Sequence, residues 1–443
     1  SDDEQNEYFS DGISEELLNV LVKIESLRVP SRTSSFTFKG SDMKLSDIGR
    51  ELGVDNVLEG SVRKAGNQIR VTAQLIDVET DTHLWSDTYT RELDDIFAVQ
   101  DEISTAIVQA LQVTLSGEDQ QEIADHGTTN VDAYNNYLLG RHLWNKRGAA
   151  ALLDAIEPLK EAVALDPEYD EALAALAETY VLIPEYGGGR IDEYIPLGRE
   201  ATEQALEINP GSARALTARA YIKAMYEYDI NGALADFEQA IQIDPKYPTA
   251  HQWYGEILAV AGQIDEALEQ VRIAKELDPL ATIMYHVEGW ILDNEGQYEA
   301  AIEAYKNVHR IDPYMANTYG NLSSLYARMG DYNKAREMEI RLGELTGVDI
   351  SPKLLVYDAM ANPALKPSAL QALQESDLFI DGASFTTPFY MLLGVEELTL
   401  DSLERAFERG DPYAIHMGRF EIYDPLHDEP RFQALLRKMN LLP

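Results

Sequence analysis

Residues 243–245 spell Ile-Asp-Pro, residues 277–279 Leu-Asp-Pro, and residues 311–313 Ile-Asp-Pro. The prolines of these tripeptides are 34 residues apart. Because proline lacks a backbone N–H and clashes with the preceding helical turn, each tripeptide predicts the end of a helix. A fixed period of this length indicates a structural repeat, whose units stack on one another and bury one continuous core.

The sequence between the prolines predicts two antiparallel helices per unit. Before each proline a small residue is followed four positions later by a bulky one, as in Ala301 and Tyr305. The first helix of a unit also contains a small residue, such as Gly255 or Gly289, that would let neighbouring helices approach closely. This combination resembles the tetratricopeptide (TPR) family. The resemblance implies a helical solenoid whose concave groove binds protein or peptide.

The repeat pattern extends on both sides of the three central units. Pro167 and Pro210 end two earlier units, with a turn-rich insertion over residues 184–189, and Gly347 replaces the proline of the last unit. We therefore predict about six repeats. A solenoid needs a terminal cap with a polar outer face, and the mostly helical C-terminal residues are interpreted as that cap.

The first part of the chain follows a different pattern, with apolar residues at helical spacing and short alternating runs. We predict helices at about residues 10–24, 46–52 and 93–115 and strands at residues 27–29, 56–63, 68–78 and 83–89, with a strand-edge loop at Ser31–Ser35. The predicted fold class is an α+β N-terminal domain (a small mixed sheet with helices) followed by an all-α TPR superhelical solenoid with a helical C-terminal cap. In chain order the predicted parts are the α+β domain over 1–116, a linker over 117–131, the repeats over 132–347 and the cap over 348–443.

A second resemblance rests on five strings in the N-terminal domain. They are YFSDG at 8–12, SRTSSF at 31–36, VLEGSVR at 57–63, HLWS at 83–86 and DIFAVQDEI at 95–103. Together with the repeats they resemble the TolB-N-like domain that precedes TPR arrays in many bacterial signalling proteins. The resemblance implies a sensory or scaffolding region, across a membrane helix from a cytoplasmic adenylate cyclase, protein kinase or winged-helix module. The Arg32-Thr33-Ser34 part either folds the domain or touches a partner.

The resemblance also carries expectations about location and association. The family normally has an apolar strand just before the position of Ser1, and its loss would leave a strand slot that favours dimers. We expect membrane attachment only through an upstream helix outside this chain. The expected location is the periplasm, as the soluble part of an inner-membrane protein, and the cytoplasm is the alternative.

Charge and composition exclude several functions. The formal net charge is −41, from 77 acidic and 36 basic residues, so nucleic acid would be repelled. The acidity indicates either solubility, for example in a salty habitat, or an acidic groove for a basic partner. The absence of cysteine excludes disulfides and thiolate metal sites.

No sequence motif indicates catalysis. Gly187-Gly188-Gly189 precedes Arg190, not the Lys-Ser/Thr of a phosphate-binding loop, and the histidines are scattered. We therefore predict a non-enzymatic chain with no catalytic residue, no metal site and no cofactor. A free-standing TPR scaffold or periplasmic assembly factor is the alternative function.

The predicted ligand site lies on the first helix of each repeat, which lines the groove in TPR proteins. Counting from the small residue of each first helix gives the inward positions. Aromatic and arginine side chains among them are of the types enriched in binding hot spots. We predict a polypeptide ligand with basic and apolar anchors. The predicted positions are Glu178, Arg214, Tyr221, Gln252, Glu256, His286, Trp290, Asp293, Asn317 and Arg328.

Overall fold

The computed structural model describes residues 4–442 apart from 25–26, 66, 93–94, 114, 116–125, 147, 187, 377–382 and 412. The described chain is mostly helical, with one small sheet near the N-terminus. It divides into two compact units. Among the described residues, we find no helix with the length and apolar character needed to cross a bilayer. The first unit is Ser1–Arg219, Asp236–Ala250 and Ala274–Leu280, and the second is Ala220–Ala235, His251–Ile273 and Ala281–Pro443.

The N-terminal part of the first unit packs helices against a three-stranded sheet. The strands pair in the order β1-β2-β3, and Val71 of the central strand lies opposite Val62 on one side and Tyr89 on the other. Alternate residues of the central strand are buried because successive side chains point to opposite faces. The buried face packs against the first and fourth helices. The elements are α1 (Glu4–Lys23), α2 (Arg32–Phe36), α3 (Leu45–Leu52), β1 (Asn56–Ala65), β2 (Gln68–Asp77), β3 (Thr82–Glu92) and α4 (Ile96–Ala110).

Three details of the predicted N-terminal domain are wrong. The sheet is antiparallel throughout the described residues, not mixed. Residues 27–29 form no strand, and the predicted loop at Ser31–Ser35 is mostly helix α2. The physical reason is that the repeats, not a sheet, satisfy this backbone. The Lys246 ammonium donates to the carbonyls of Val22, Ile24 and Leu27, at 2.7, 3.0 and 3.2 Å.

The repeat helices end where the prolines predict. Helices α6, α8, α10, α12 and α14 each end two residues before the proline of their unit. The last repeat helix instead ends at Gly347, whose φ of 72° suits a left-handed helix cap. The helices are α5 (Val131–Lys146), α6 (Ala149–Leu165), α7 (Asp170–Leu182), α8 (Ile191–Ile208), α9 (Ala213–Glu227), α10 (Ile230–Ile243), α11 (Pro248–Val260), α12 (Ile264–Leu277), α13 (Thr282–Asn294), α14 (Tyr298–Ile311), α15 (Ala316–Arg328) and α16 (Tyr332–Thr346).

Stacked helix pairs bury the small and bulky residues that defined the repeat. In the first unit α5 packs on α6 and α7 on α8, and in the second unit α13 packs on α14 and α15 on α16. Ala301 and Tyr305 are fully buried, in one cluster with Leu322 and Leu325 of the next repeat. Burying a side chain of this size stabilises the fold by about 1.5–3 kcal/mol, so each repeat depends on its neighbour.

The C-terminal residues form further helices in the second unit. We call residues 396–442 the C-terminal lobe, because they share an apolar core that includes Leu403, Tyr423 and Phe432. Two short 3-10 segments, Ala414–Gly418 and Glu421–Leu426, connect the helices of the lobe. The helices after the repeats are α17 (Ser351–Ala361), α18 (Lys366–Glu375), α19 (Ala383–Leu393), α20 (Glu396–Glu408) and α21 (Pro430–Lys438).

Candidate peptide-binding site

In the first unit the predicted position Glu178 lies at the centre of a buried ionic cluster. Its carboxylate, fully buried on α7, accepts hydrogen bonds from Arg141 at 3.1 Å and Arg214 at 2.8 Å. The hydroxyl of Tyr247 also donates to it. Burial lowers the pKa of Arg214, but the Glu178 carboxylate outweighs burial and holds the pKa well above its usual value. The Arg214 guanidinium therefore stays charged, and the cluster joins α5, α7 and α9.

Helix α1 covers the same side of α5 with two carboxylates. Glu15 lies 2.9 Å from the Arg32 guanidinium and 3.7 Å from that of Arg141. Asp11 lies 2.6 Å from the Lys39 ammonium and 3.3 Å from His142 Nδ1. The N-terminal residues therefore occupy the face of α5 that is equivalent to the predicted groove.

Residues Arg32-Thr33-Ser34 stabilise the first unit. The hydroxyl of Ser34 donates to the Asp278 carboxylate at 2.5 Å and accepts the Leu280 N–H at 2.7 Å. Burial raises the pKa of Asp278, and hydrogen bonds from Ser31, Thr33 and Ser34 oppose that rise. The string therefore satisfies a buried carboxyl group of a repeat turn.

In the second unit two predicted positions belong to the core. Tyr221 is 2% exposed and packs its ring on Trp253, with centroids 4.3 Å apart. Gln252 is also buried. A ligand on the surface would meet neither side chain without local opening of the helices.

The C-terminal lobe contacts the predicted positions Glu256 and Trp290, and it contacts a residue close to predicted Asp293. His416 Nε2 lies 3.0 Å from a carboxylate oxygen of Glu256 on α11. The His416 ring also meets the Trp290 ring on α13 edge to face, with centroids 5.0 Å apart. Three residues further along the lobe, Arg419 pairs with Glu295 directly after α13. The lobe thus places two basic side chains against carboxylates of successive repeats.

An arginine on α15 is shared between a repeat carboxylate and a lobe carboxylate. Arg328 pairs with buried Asp293, and its Nε lies 3.4 Å from Glu421 of the lobe. The Tyr298 hydroxyl donates to Glu421 at 2.6 Å. Burial raises the pKa of Asp293, and Arg328 opposes that rise. Predicted positions Asp293 and Arg328 therefore form one site with a lobe residue.

The remaining predicted positions differ in exposure. Asn317 is exposed at the start of α15, and His286 is largely buried on α13. Within the second unit, the structure brings Glu256, Trp290 and Arg328 into contact with the lobe, and Asp293 pairs with Arg328. Glu178 and Arg214 contact each other in the first unit.

Sequence reasoning missed several residues of these contacts. Arg141 follows the small residue Gly140 as Glu178 follows Ala177, so one more step of the repeat count would have found it. His416, Arg419 and Glu421 stand outside the repeat, and no periodic signal marks them.

His286 is expected to make the stability of the chain depend on pH. Its Nδ1 lies 3.0 Å from the Thr318 hydroxyl, and burial lowers its pKa from 6.5 to about 4, with Glu256 opposing and His309 adding to the shift. The unfolded chain therefore binds the proton first as pH falls. Above pH 6.5 this histidine leaves the free energy of unfolding unchanged. Between pH 6.5 and about 4, its preference for the neutral form lowers that free energy by about 3 kcal/mol.

Urea denaturation of wild type and His286→Gln across pH 7 to 4 measures this dependence. The variant should show a flatter decline of the unfolding free energy. His427→Gln, at a half-exposed histidine of the lobe, is the matched control for replacing one histidine by glutamine. Equal slopes for wild type and His286→Gln would contradict the assignment.

A cavity of about 480 Å³ lies beside the lobe in the second unit. Its lining includes Tyr228, Asp229, Gln263 and Asn440. Asn440 donates to the Tyr228 carbonyl at 2.8 Å, and Asp229 accepts the Gly232 N–H at 3.0 Å. Within the described ranges, histidines and carboxylates form no group of three or more suited to a metal ion.

The repeat helices agree with a comparison to known families. Residues 224–285 and 294–344 match the family model described as tetratricopeptide repeat. These two stretches are tetratricopeptide repeats. Repeats of this type stack into extended surfaces that bind other proteins, so the chain has the architecture of a protein-interaction scaffold.

Two curated proteins and one solved structure are among its similar proteins. A Rhizobium meliloti (strain 1021) protein provisionally named adenylate cyclase 3 is 40% identical over 177 residues, which cover 40% of this chain and 30% of that protein. The Salmonella typhimurium transcriptional regulator HilA is 28% identical over 142 residues, covering 32% of this chain and 26% of HilA. The chain thus spans less than a third of either relative. Pseudomonas aeruginosa PilF is similar in structure, with a TM-score of 0.38 and 19% identity over 52% of this chain and 97% of PilF.

Proposed function

We propose that this chain is the non-catalytic, protein-binding sensory or scaffolding region of a membrane-anchored bacterial signalling protein. Its output module, an adenylate cyclase, protein kinase or transcriptional regulator, would lie outside the chain. The partial match to the Rhizobium meliloti protein carries the proposal, since 177 residues are 40% identical but cover only 30% of that relative. The resemblance of residues 1–116 to a TolB-N-like domain supports the same arrangement.

The proposed ligand is a polypeptide with basic and apolar anchors. Glu256 and Glu295 already face basic side chains of the lobe, and Trp290 faces an aromatic ring. Another polypeptide with basic and aromatic side chains at the same spacing would make the same contacts with Glu256, Glu295 and Trp290. Charge-assisted pairs of this kind position a ligand, and a central aromatic residue supplies much of the binding energy.

The location is proposed to be the periplasmic side of the inner membrane. The test uses the complete gene product, expressed in its own host, with an epitope tag inserted after exposed Val348 of this chain. We expect the tag to remain with the membrane after a carbonate wash, and added protease to remove it from intact spheroplasts. A cytoplasmic marker protein, protected until lysis, is the control.

Other outcomes of this test have defined meanings. A tag that is protected in spheroplasts and cleaved only after lysis contradicts the periplasmic location. A protein that is released by the wash has no membrane anchor, and it would then be a free-standing scaffold.

A further inference from the structure

The lobe residues that contact the repeats form a short linear sequence. His416, Arg419 and Glu421 stand within six residues of one another. Their partners come from α11, from α13 and the turn after it, from the start of α14 and from α15. Helices α11, α13 and α15 are the first helices of three successive repeats, where a peptide ligand is predicted. A segment of this chain therefore makes the contacts expected of a bound peptide.

The lobe has a core that does not depend on these contacts. Met417 and Tyr423, on the same two 3-10 segments, are buried among apolar residues of the lobe. The side chains directed at α11, α13 and α15 are ionic or imidazole groups instead. The apolar side chains of the two segments are buried in the lobe, and their polar side chains contact the repeats. The lobe can therefore give up these polar contacts by moving as one body, with its own packing kept.

Two of the polar contacts are also imperfect, whereas Tyr298 and Arg419 form hydrogen bonds with Glu421 and Glu295. His416 Nε2 and Arg328 Nε are buried, and each faces a carboxylate without hydrogen-bond geometry. A buried donor without a good hydrogen bond loses stabilisation that a better-oriented partner would recover. Because the segment is part of the same chain, it also has a high effective concentration at the site.

We propose that residues 414–427 are a built-in occupant of the peptide-binding surface on α11, α13 and α15, and that a partner polypeptide displaces them. This inference rests on the proposed protein-binding function and adds its regulation. The partner presents a basic or imidazole side chain to Glu256, an arginine to Glu295 and a carboxylate to Arg328. In the wild-type chain the surface is closed to that partner until it competes with the segment.

The first experiment supplies the segment as a separate molecule. The probe is a fluorescein-labelled peptide of residues 413–427, YAIHMGRFEIYDPLH, and its binding to the full chain is measured by fluorescence anisotropy. The triple variant His416→Ala/Arg419→Ala/Glu421→Ala frees the surface and should bind the peptide at least tenfold more tightly than wild type. Arg437→Ala is the matched control, because Arg437 is an exposed arginine of the same lobe, and it should behave as wild type.

A second set of variants locates the peptide. Adding Glu256→Gln and Trp290→Ala to the triple variant should weaken peptide binding at least tenfold. A peptide in which Arg419 is replaced by glutamate should also bind at least tenfold more weakly to the triple variant. Equal affinity of wild type and triple variant, or binding that ignores Glu256 and Trp290, overturns the inference.

Hydrogen exchange keeps the test decisive if the triple variant does not fold. With saturating unlabelled peptide, amides of residues 414–427 in the wild-type chain should exchange faster, while those of α13 stay protected. Unchanged exchange over 414–427 at saturation overturns the displacement. Neither result affects membrane attachment or topology, so failure here is distinct from failure of the proposed function.

Discussion

Replacing Glu178 by alanine is expected to lower the free energy of unfolding of the chain by about 3–5 kcal/mol. Glu178 is fully buried and neutralises Arg141 and Arg214. Removing the carboxylate leaves two buried guanidinium groups and the Tyr247 hydroxyl without their shared acceptor. Breaking a buried ion pair is far more costly than leaving it unformed, because the remaining charge has lost its hydration.

Urea denaturation monitored by the helical circular dichroism signal measures the loss. Glu178→Gln keeps the volume and removes only the charge, so it should lie between alanine and wild type. Glu157→Ala is the control, because its side chain is 85% exposed beside Lys160 on α6, and it should change stability little. If Glu178→Ala and Glu157→Ala unfold at the same urea concentration, the cluster does not hold the repeats together.

The repeat helices could be predicted because each one satisfies the same local requirement. A proline two residues after a helix, and a small residue opposite a bulky one, recur every 34 residues around Pro245, Pro279 and Pro313. These signals are local, so a single sequence displays them several times. The error at residues 27–36 has the opposite cause. There Lys246 donates to the Leu27 carbonyl and the Leu277 carbonyl accepts the Ser31 N–H, and both partners are more than 200 residues away.

Only the residues that the repeats contribute to the candidate site were predictable from the sequence. The period identifies which residues of the first helices share a face, and it placed Glu256, Trp290 and Arg328 there. What touches them is set by tertiary packing, and His416, Arg419 and Glu421 leave no periodic trace. Tyr221 shows a further limit, since its helical position suggests a groove but its ring is needed against Trp253.

The structure also helps to interpret the acidic composition of the chain. Composition alone allowed two accounts of the net charge of −41, solubility first and an acidic groove for a basic partner second. In the second unit, Glu256 and Glu295 hold His416 and Arg419. Repeat carboxylates there can hold basic side chains, which favours a basic partner for this surface. Exposed pairs such as Glu157–Lys160 contribute little and are consistent with solubility.

Replacing Tyr305 by alanine is expected to lower the free energy of unfolding by about 3–5 kcal/mol, the usual cost of truncating a buried aromatic residue. Tyr305 is fully buried, and its ring packs directly over Gly289 on α13, where an added Cβ would lie 2.5 Å from the ring. The absence of a side chain at Gly289 lets the ring fill this space. Truncation opens a cavity between two repeats that neither can close.

Tyr305→Phe separates packing from the hydroxyl group. The hydroxyl accepts a hydrogen bond from Asn321 at 3.3 Å, so losing it should cost only about 1 kcal/mol. Tyr314→Ala is the matched control, since that tyrosine follows the same helix and is 72% exposed. Thermal and urea unfolding should rank wild type and Tyr314→Ala together, Tyr305→Phe slightly lower and Tyr305→Ala far lower. A Tyr305→Ala protein as stable as Tyr305→Phe would mean that the ring does not hold α13 and α14 together, and the small-to-bulky rule that predicted the repeats would lose its physical basis.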